Sequence, residues 1–325
     1  MTRELSKIIR ATRVDLREVG MREGFQSHPM ILPIKHKVDY FRRLKAAGCR
    51  EINAVSFVHP GVMPHMADAE EVLRAVADDL VGVEVSGLAP NERGLARAVA
   101  MATEGLLQRV FFVFAESLTT LRANGITAGH DELIRLMSGW SDVAHEAGLS
   151  VTVFVSTAFG CSIEGQVDPG KVIEHAAQIR TFADEIIISD SAGQADPVQV
   201  LELLSDLSDV LPASERIGLH LHDTRGAGLA NVVAALSSPF EHLVLDAAFG
   251  GWGGDYPFIP EAFGNIATED LVEMLIGFGI TTGVDVESIM SITRDYAAIS
   301  GRPIGSRMVH ASPIAWKREH SASAT

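Results

Sequence analysis

The sequence predicts an α/β protein: a closed (β/α)8 TIM barrel with extra helices at its C-terminal end. Three observations predict it. Eight short runs rich in β-branched or aromatic residues recur along the 325 residues, their starts about 26 to 41 residues apart, the length of one strand-helix unit in a parallel sheet. The stretches between them place apolar residues at helical spacing. No Gly-x-Gly-x-x-Gly follows the first run, so a doubly wound dinucleotide-binding sheet, the competing architecture, lacks its fingerprint.

The elements follow in order. Val14-Val19 alternates apolar and polar residues as a strand does, and Lys37-Ala47 then repeats its apolar residues at helical spacing. Arg50-Val58 is the second strand, with a helix over Ala67-Ala77, and Gly82-Leu88 the third, with a helix over Leu95-Ala102. Arg109-Ala115, dense in Phe and Val, is the fourth strand, and Glu132-Ala147 its helix. Ser150-Ser156, Glu185-Ser189, Arg216-His222 and His242-Ala248 complete the eight, separated by helices over Lys171-Phe182, Val198-Leu207 and Gly228-Leu236. Two further helices are predicted over Ala267-Gly277 and Val286-Ile299, and an irregular tail from Arg302 onwards, with its last residues, His320-Thr325, disordered. The chain reads as one domain over 1-325, with the barrel spanning about 14-280 and the C-terminal helices and tail about 281-325.

Composition narrows the function. Asp and Glu number 42 against 27 Lys and Arg, a net charge of -15, which argues against nucleic acid and anionic membranes as partners. No apolar run approaches a membrane span. Two cysteines, Cys49 and Cys161, are too few for a disulfide framework and indicate a reducing cytoplasm. The N-terminal Met1-Arg13 carries basic residues without an apolar signal core and reads as a surface lead-in; Glu4 argues against a transit peptide. Lys35, Lys37 and Lys45 fall on or beside a helix and read as solvated rather than ligand-bound.

In such a barrel the active site lies at the C-terminal ends of the strands, and polar residues collect there. The first strand runs into Arg22 and Glu23, the second ends near Asn53, and the fifth runs into Gly160-Gly165. The sixth reaches Asp190 and Ser191, the seventh carries His220-Leu221-His222, and the eighth opens onto Gly250-Gly251-Trp252-Gly253-Gly254-Asp255. On a strand, residues i and i+2 share a face, so His220 and His222 present two imidazoles together, although an isolated His-x-His is more often two satisfied core residues. With Glu23 they have the ligand mix of a divalent cation that keeps open positions, and Asn265 could add an amide oxygen. That set suits Mg²⁺ or Mn²⁺ better than a closed tetrahedral zinc site. Arg22 is then placed to hold an oxyanion, or else forms a structural ion pair. Asp255, a turn residue among glycines on the plain reading, is a candidate proton carrier, as is one of the histidines.

These residues resemble a known family. Leu16-Arg17-Glu18-Val19-Gly20-Met21-Arg22-Glu23-Gly24-Phe25-Gln26, then Ser56-Phe57-Val58, Gly87-Leu88-Ala89-Pro90-Asn91, His220-Leu221-His222-Asp223-Thr224 and Gly264-Asn265-Ile266-Ala267-Thr268-Glu269-Asp270 are similar to 3-hydroxy-3-methylglutaryl-CoA lyase. That enzyme sits within a wider group of metal-dependent lyases and Claisen-condensing enzymes. The resemblance runs from about Val14 to about Arg307 and implies the barrel, a divalent metal, an acyl-CoA substrate and a homodimer. It assigns the catalytic Arg to Arg22 and metal ligation to His220, His222 and Asn265. The family's metal-binding Asp falls on Glu23. Its catalytic Glu falls on Asn53, which enters the catalytic set without being able to titrate, and its loop Cys falls on Asp255 rather than on Cys161. Catalytic groups act as a unit, so three departures imply a retained scaffold with an altered substrate or chemistry.

The leading expectation is a divalent-metal-dependent carbon-carbon lyase cleaving a 3-hydroxyacyl-CoA or related hydroxy acid by a retro-aldol or retro-Claisen route. A Claisen- or aldol-type condensing enzyme acting on an acyl-CoA or oxo acid is the alternative within catalysis. A barrel that binds metal and ligand without chemistry is the alternative outside it.

Overall fold

A computed structural model describes residues 8–254 and 264–311 of the chain. Eight parallel strands close into a barrel in sequence order: β1 (Arg13–Glu18), β2 (Glu51–Ser56), β3 (Glu84–Leu88), β4 (Arg109–Ala115), β5 (Ser150–Ser156), β6 (Glu185–Asp190), β7 (Arg216–Leu221) and β8 (His242–Ala247). The closing pair aligns Arg13 with His242 through Glu18 with Ala247. Every predicted strand is present, with ends within about two residues of the sequence reading, a margin at which fraying makes boundaries soft.

The helices are α1 (Glu23–Gln26), α2 (Ile34–Ala46), α3 (Ala69–Ala75), α4 (Glu92–Thr103), α5 (Leu118–Ala123), α6 (His130–Glu146), α7 (Pro169–Ile179), α8 (Pro197–Leu207), α9 (Gly228–Leu236), α10 (Thr268–Gly277) and α11 (Val286–Ser300). Their starts are written in local chemistry. Asp196 caps α8 by accepting from Val198 N and Gln199 N, while the Gln199 side chain returns a bond to Asp196 N, with Pro197 in the first turn. Asn91 caps α4 by accepting from Gly94 N and Asp285 caps α11 by accepting from Ser288 N, and α11 stops at Gly301, whose φ of 66° suits glycine. The sequence reading missed α1 and α5, which are too short to show a full apolar period.

Apolar faces of the strands and helices form one continuous core, so that Phe112 and Phe114 on β4 and Leu44 on α2 are fully buried. Inside the barrel a small apolar layer, Leu88, Phe111, Phe154 and Ile187, separates two polar layers. The lower layer is ionic and was not anticipated from the sequence. Arg17 on β1 reaches Glu185 on β6 at 2.5 Å, Glu51 on β2 at 3.1 Å and Asp246 on β8 at 3.2 Å, with its guanidinium stacked 4.9 Å over Phe111. Arg216 also pairs with Glu51 and Glu185, and Arg109 with Glu84. Barrel interiors are usually filled by branched apolar residues. Here the charges tolerate burial because each faces opposite charges and hydrogen-bonding groups.

One expectation is corrected. Lys37 is buried rather than solvated, its ammonium donating to Asp68 Oδ1 and to the His65 carbonyl, both at 2.6 Å. Lys45 bonds the Asp79 carbonyl, while Lys35 is exposed as read. An ammonium with a carboxylate and a carbonyl in reach can be withdrawn from water, a pairing that spacing along a single helix does not reveal.

The C-terminal helices brace the rim that carries the site. Tyr296 on α11 donates to the Gly24 carbonyl at 3.0 Å and packs among Phe25, Tyr40, Phe249 and Trp252, while Trp252 donates to the Pro303 carbonyl at 3.0 Å. Among the described residues no helix is long and apolar enough to cross a membrane.

Candidate metal centre and active site

The strand tops assemble the cluster from three separate segments. His220 is on β7, and the i, i+2 geometry puts His222, just past its end, on the same side: the two Nε2 atoms are 3.0 Å apart. Glu23 opens α1 and brings Oε1 to 3.5 Å from His220 Nε2. Donor atoms of Glu23, His220 and His222 all lie within 4.8 Å of one another. Asn265 arrives from the far side of the β8 loop through a backbone bridge to His222, reinforced by Asp223 N donating to the Gly264 carbonyl at 2.5 Å. Its amide nitrogen donates to Glu23 Oε2 at 2.7 Å and to the Trp252 carbonyl at 3.0 Å.

This donor set fits a divalent cation. His220 Nδ1 lies 3.1 Å from Asp246 Oδ2, a carboxylate contact that leaves Nε2 as the atom presented to the cluster. Asn265 Oδ1 is buried and has no hydrogen-bond partner among the described residues, a costly arrangement for a group that a cation would satisfy. Two imidazole nitrogens, a carboxylate and an amide oxygen leave coordination positions open. Backbone fit around the cluster is tight: Gly253 has a φ of 118°, and a Cβ there would collide with Asn265 Nδ2.

Electrostatics prepare the candidate ligands. Burial opposes the charge on Glu23, but Arg22, His220 and His222 outweigh it and lower its carboxyl to about 2. Burial and then the neighbouring His220 depress His222 to about 3, so its imidazole is neutral at physiological pH. Burial disfavours the imidazolium of His220 too, but Glu23 and Asp246 outweigh it and raise its pKa from the ordinary histidine value.

Arg22 follows β1 and is buried beside the cluster, its Nη1 2.7 Å from Glu23 Oε1 and its guanidinium 5.8 Å over the Phe154 ring. Its Nε donates at 2.7 Å to Asn53 Oδ1, and Asn53 Nδ2 donates in turn to Ser86 Oγ at 3.0 Å. Asn53 therefore braces Arg22 from behind. One cavity is lined by Arg22, Glu23, His220 and His222 on one side and by Ser156, Ser189 and Ser191 on another, with Leu88, Val113 and Phe154 as apolar walls. Asp255 lies outside the described residues; Gly254, just before it, lines the cavity.

Arg22→Lys is expected to lower kcat by about 10²-fold while changing cation affinity little, because an ammonium cannot keep the fork that reaches Asn53 and Glu23 together. Steady-state kinetics beside calorimetric Mn²⁺ titration would check it; an unchanged kcat would remove Arg22 from the chemistry.

Several groups around the site were not read from the sequence. Asp246, the serines on β5 and β6, and Phe154, whose ring meets His220 edge-on at 5.4 Å, all lay in predicted strands without being singled out. Glu18 was quoted only within a motif. Its Oε1 accepts from Gly20 N at 2.7 Å and Phe249 N at 3.1 Å and its Oε2 from Thr268 Oγ1 at 2.6 Å, tying the β1 and β8 loops together. A charged residue at an inward strand position was the available signal.

Known proteins are similar to this chain in sequence and in fold. The family model described as HMGL-like matches residues 13–295. Hydroxymethylglutaryl-CoA lyase YngG of Bacillus subtilis is 35% identical over 296 residues, 91% of this chain and 96% of its own. (R)-citramalyl-CoA lyase of Chloroflexus aurantiacus is 35% identical over 315 residues, 93% and 95% of the two chains. Among solved structures, an HMG-CoA lyase from Acinetobacter baumannii in complex with coenzyme A and 3-methylmalate superposes with a TM-score of 0.80 at 30% identity, covering 97% of this chain and 100% of that one. With its closed barrel and its Glu23, His220, His222 cluster at the strand tops, the chain belongs to the HMGL-like family, whose relatives named above are carbon-carbon lyases.

Proposed function

We propose that this protein is a divalent-metal-dependent carbon-carbon lyase that cleaves a 3-hydroxyacyl-CoA into an acyl-CoA and a carbonyl product. The observation that carries the reading is the convergence of Glu23, His220 and His222 beside Arg22 on one cavity at the strand tops, with Asn265, whose Oδ1 has no partner among the described residues, bonded to Glu23. Glu23, His220, His222 and Asn265 would hold the ion, Mg²⁺ or Mn²⁺ by their mixed oxygen and nitrogen character. When bound, it supplies Lewis-acid polarisation of substrate oxygens.

The chain's own groups account for the rest. Arg22, held by Asn53, presents positive charge to the thioester oxygen as the C2–C3 bond breaks and its electron pair moves onto the enolate. The C3 hydroxyl loses its proton as its carbon becomes the carbonyl, and C2 of the enolate gains one. Asp255 or one of the histidines carries the proton, and Asn53, which cannot titrate, serves by positioning Arg22. Leu88, Val113 and Phe154 restrict water at the reacting carbons. Two buried thiols, Cys49 and Cys161, fit a reducing cytoplasm, and a homodimer accords with the resemblance.

The substrate acids of the two lyases named above share a tertiary C3 alcohol and differ by one methylene between C3 and the distal carboxylate. The test is therefore product analysis with 3-hydroxy-3-methylglutaryl-CoA and citramalyl-CoA, with Mg²⁺ or Mn²⁺ and with chelator. Expected is acetyl-CoA release from one of the two, with acetoacetate or pyruvate as co-product, abolished by chelator. Condensation of labelled acetyl-CoA with an oxo acid, without cleavage of either thioester, would replace the proposal by its synthetic counterpart. Tight binding without product would replace it by a non-catalytic barrel.

A further inference from the structure

Asp246 stands between the two polar layers of the barrel and touches both. It lies on β8, in register with Arg17 of β1, and its carboxylate is fully buried. Oδ1 accepts from Arg17 Nη1 at 3.2 Å, and Oδ2 meets His220 Nδ1 at 3.1 Å. A carboxylate accepts at both oxygens, so in this contact Nδ1 of the imidazole is the donor, and in the neutral ring Nε2 keeps its lone pair for the cluster. Arg17 has no acceptor atom and is itself fixed by Glu51 and Glu185.

We propose that Asp246 is a positioning residue that holds His220 in the tautomer able to ligate a cation, and that Arg17 decides which way this clamp is read. An asparagine at 246 would be isosteric but has one acceptor and one donor end. Arg17 can only donate, so it draws the amide oxygen and leaves the NH₂ facing His220 Nδ1. A donor there turns Nδ1 into the acceptor, moves the ring proton to Nε2 and points N–H at the place a cation would occupy. The ionic layer at the base of the barrel thus acts on the site through the orientation of one side chain, and not through bulk stability alone. This inference rests on the reading that His220 is a ligand, and the experiment separates the two.

Asp246→Asn is purified as the full chain, checked for fold by near-UV circular dichroism, and compared with wild type in two measurements. Nitrogen-15 chemical shifts of the His220 ring are read without metal, at a pH where the ring is neutral, and Mn²⁺ affinity is read by calorimetry. Wild type is expected to carry the proton on Nδ1 and the variant on Nε2, with Mn²⁺ affinity lowered by about 10- to 100-fold. In the double variant Arg17→Met with Asp246→Asn the amide is free to turn, so the Nδ1–H form and part of the affinity are expected to return. An Asp246→Asn protein with the wild-type tautomer overturns the clamp, and a folded double variant that stays like Asp246→Asn overturns the part given to Arg17. Reversal of the tautomer in a protein that binds no Mn²⁺ even as wild type would refute the metal reading and support the clamp. Should the double variant not fold, the Asp246→Asn spectrum alone decides for or against the clamp.

Discussion

Replacing His220 by alanine is expected to lower kcat by about 10³-fold or more and Mn²⁺ affinity by at least about 10²-fold, with the fold intact. His220 is at the centre of the cluster: its Nε2 is 3.0 Å from His222 and 3.5 Å from Glu23, and its Nδ1 is anchored on Asp246. Without it His222 and Asn265 lack the shared geometry that a cation requires, and Glu23 loses a neighbour that favours its charge. Loss of a single preorganised electrostatic group costs about 10²–10³ in rate, and a ligand that also places the Lewis acid costs more. Asp246 keeps Arg17 as a partner, so no buried charge is left alone and the barrel should stay closed. Calorimetric titration and product release, measured on one preparation, check this. Full turnover with undiminished affinity would show that the histidines are core residues and would sink the proposed function.

Arg17→Ala is expected to destabilise the protein by about 3–5 kcal/mol, since removing one member of a buried ion network leaves its partners uncompensated. Arg17 has 1% of its side chain exposed, and it is the cation that Glu51, Glu185 and Asp246 share. Burial disfavours the charge on Arg17, but Glu185 and Asp246 more than restore it, so the guanidinium stays ionised. Arg216 still pairs with Glu51 and Glu185 in the variant, leaving Asp246 with His220 alone. Urea denaturation should show a lower midpoint at a similar slope. The exposed Arg13–Asp15 pair on the same strand supplies the control, where Arg13→Ala should change little. Equal effects of the two variants would mean that the ionic layer contributes nothing beyond its shape.

Removal of either partner is costly for a further reason. The network occupies inward positions that register brings together, Arg17 opposite both Glu51 and Asp246. A closed barrel gives these side chains neither an alternative rotamer in water nor room for water to enter. Below the apolar layer of Leu88, Phe111, Phe154 and Ile187 the same charges fix how strands from opposite sides of the barrel face one another. The candidate metal centre above that layer inherits this alignment through β1, β7 and β8.

Much of this was legible along the chain. The strand-helix alternation is a local property of each segment, set by side-chain period and turn residues, and each of the eight strands and the two C-terminal helices lies where its pattern puts it. The pairing of His220 with His222 was equally local, because two residues apart on a strand means one face. Short helices escaped: Ser117 accepts from Thr120 N and caps α5, but six residues hold too little period to be seen. Arg22 and Glu23 were placed at a strand end by sequence, but whether Arg22 served a structural pair or an oxyanion was open. The structure gives it Asn53 and Glu23 as neighbours and the cavity as its outlook.

By itself, then, the sequence determined the repeated β/α unit, the acidic balance that argues against nucleic acid, and the order of polar strand ends. Only the tertiary structure decided which distant residues meet: Asn265 against Glu23, 242 positions apart, Asp246 between Arg17 and His220, and Lys37 buried on Asp68. The physical reason is range. Periodicity and capping act within a turn or a strand and are encoded in neighbours, whereas charge pairing and ligand geometry depend on which strands close the barrel and in what register, which no single stretch carries.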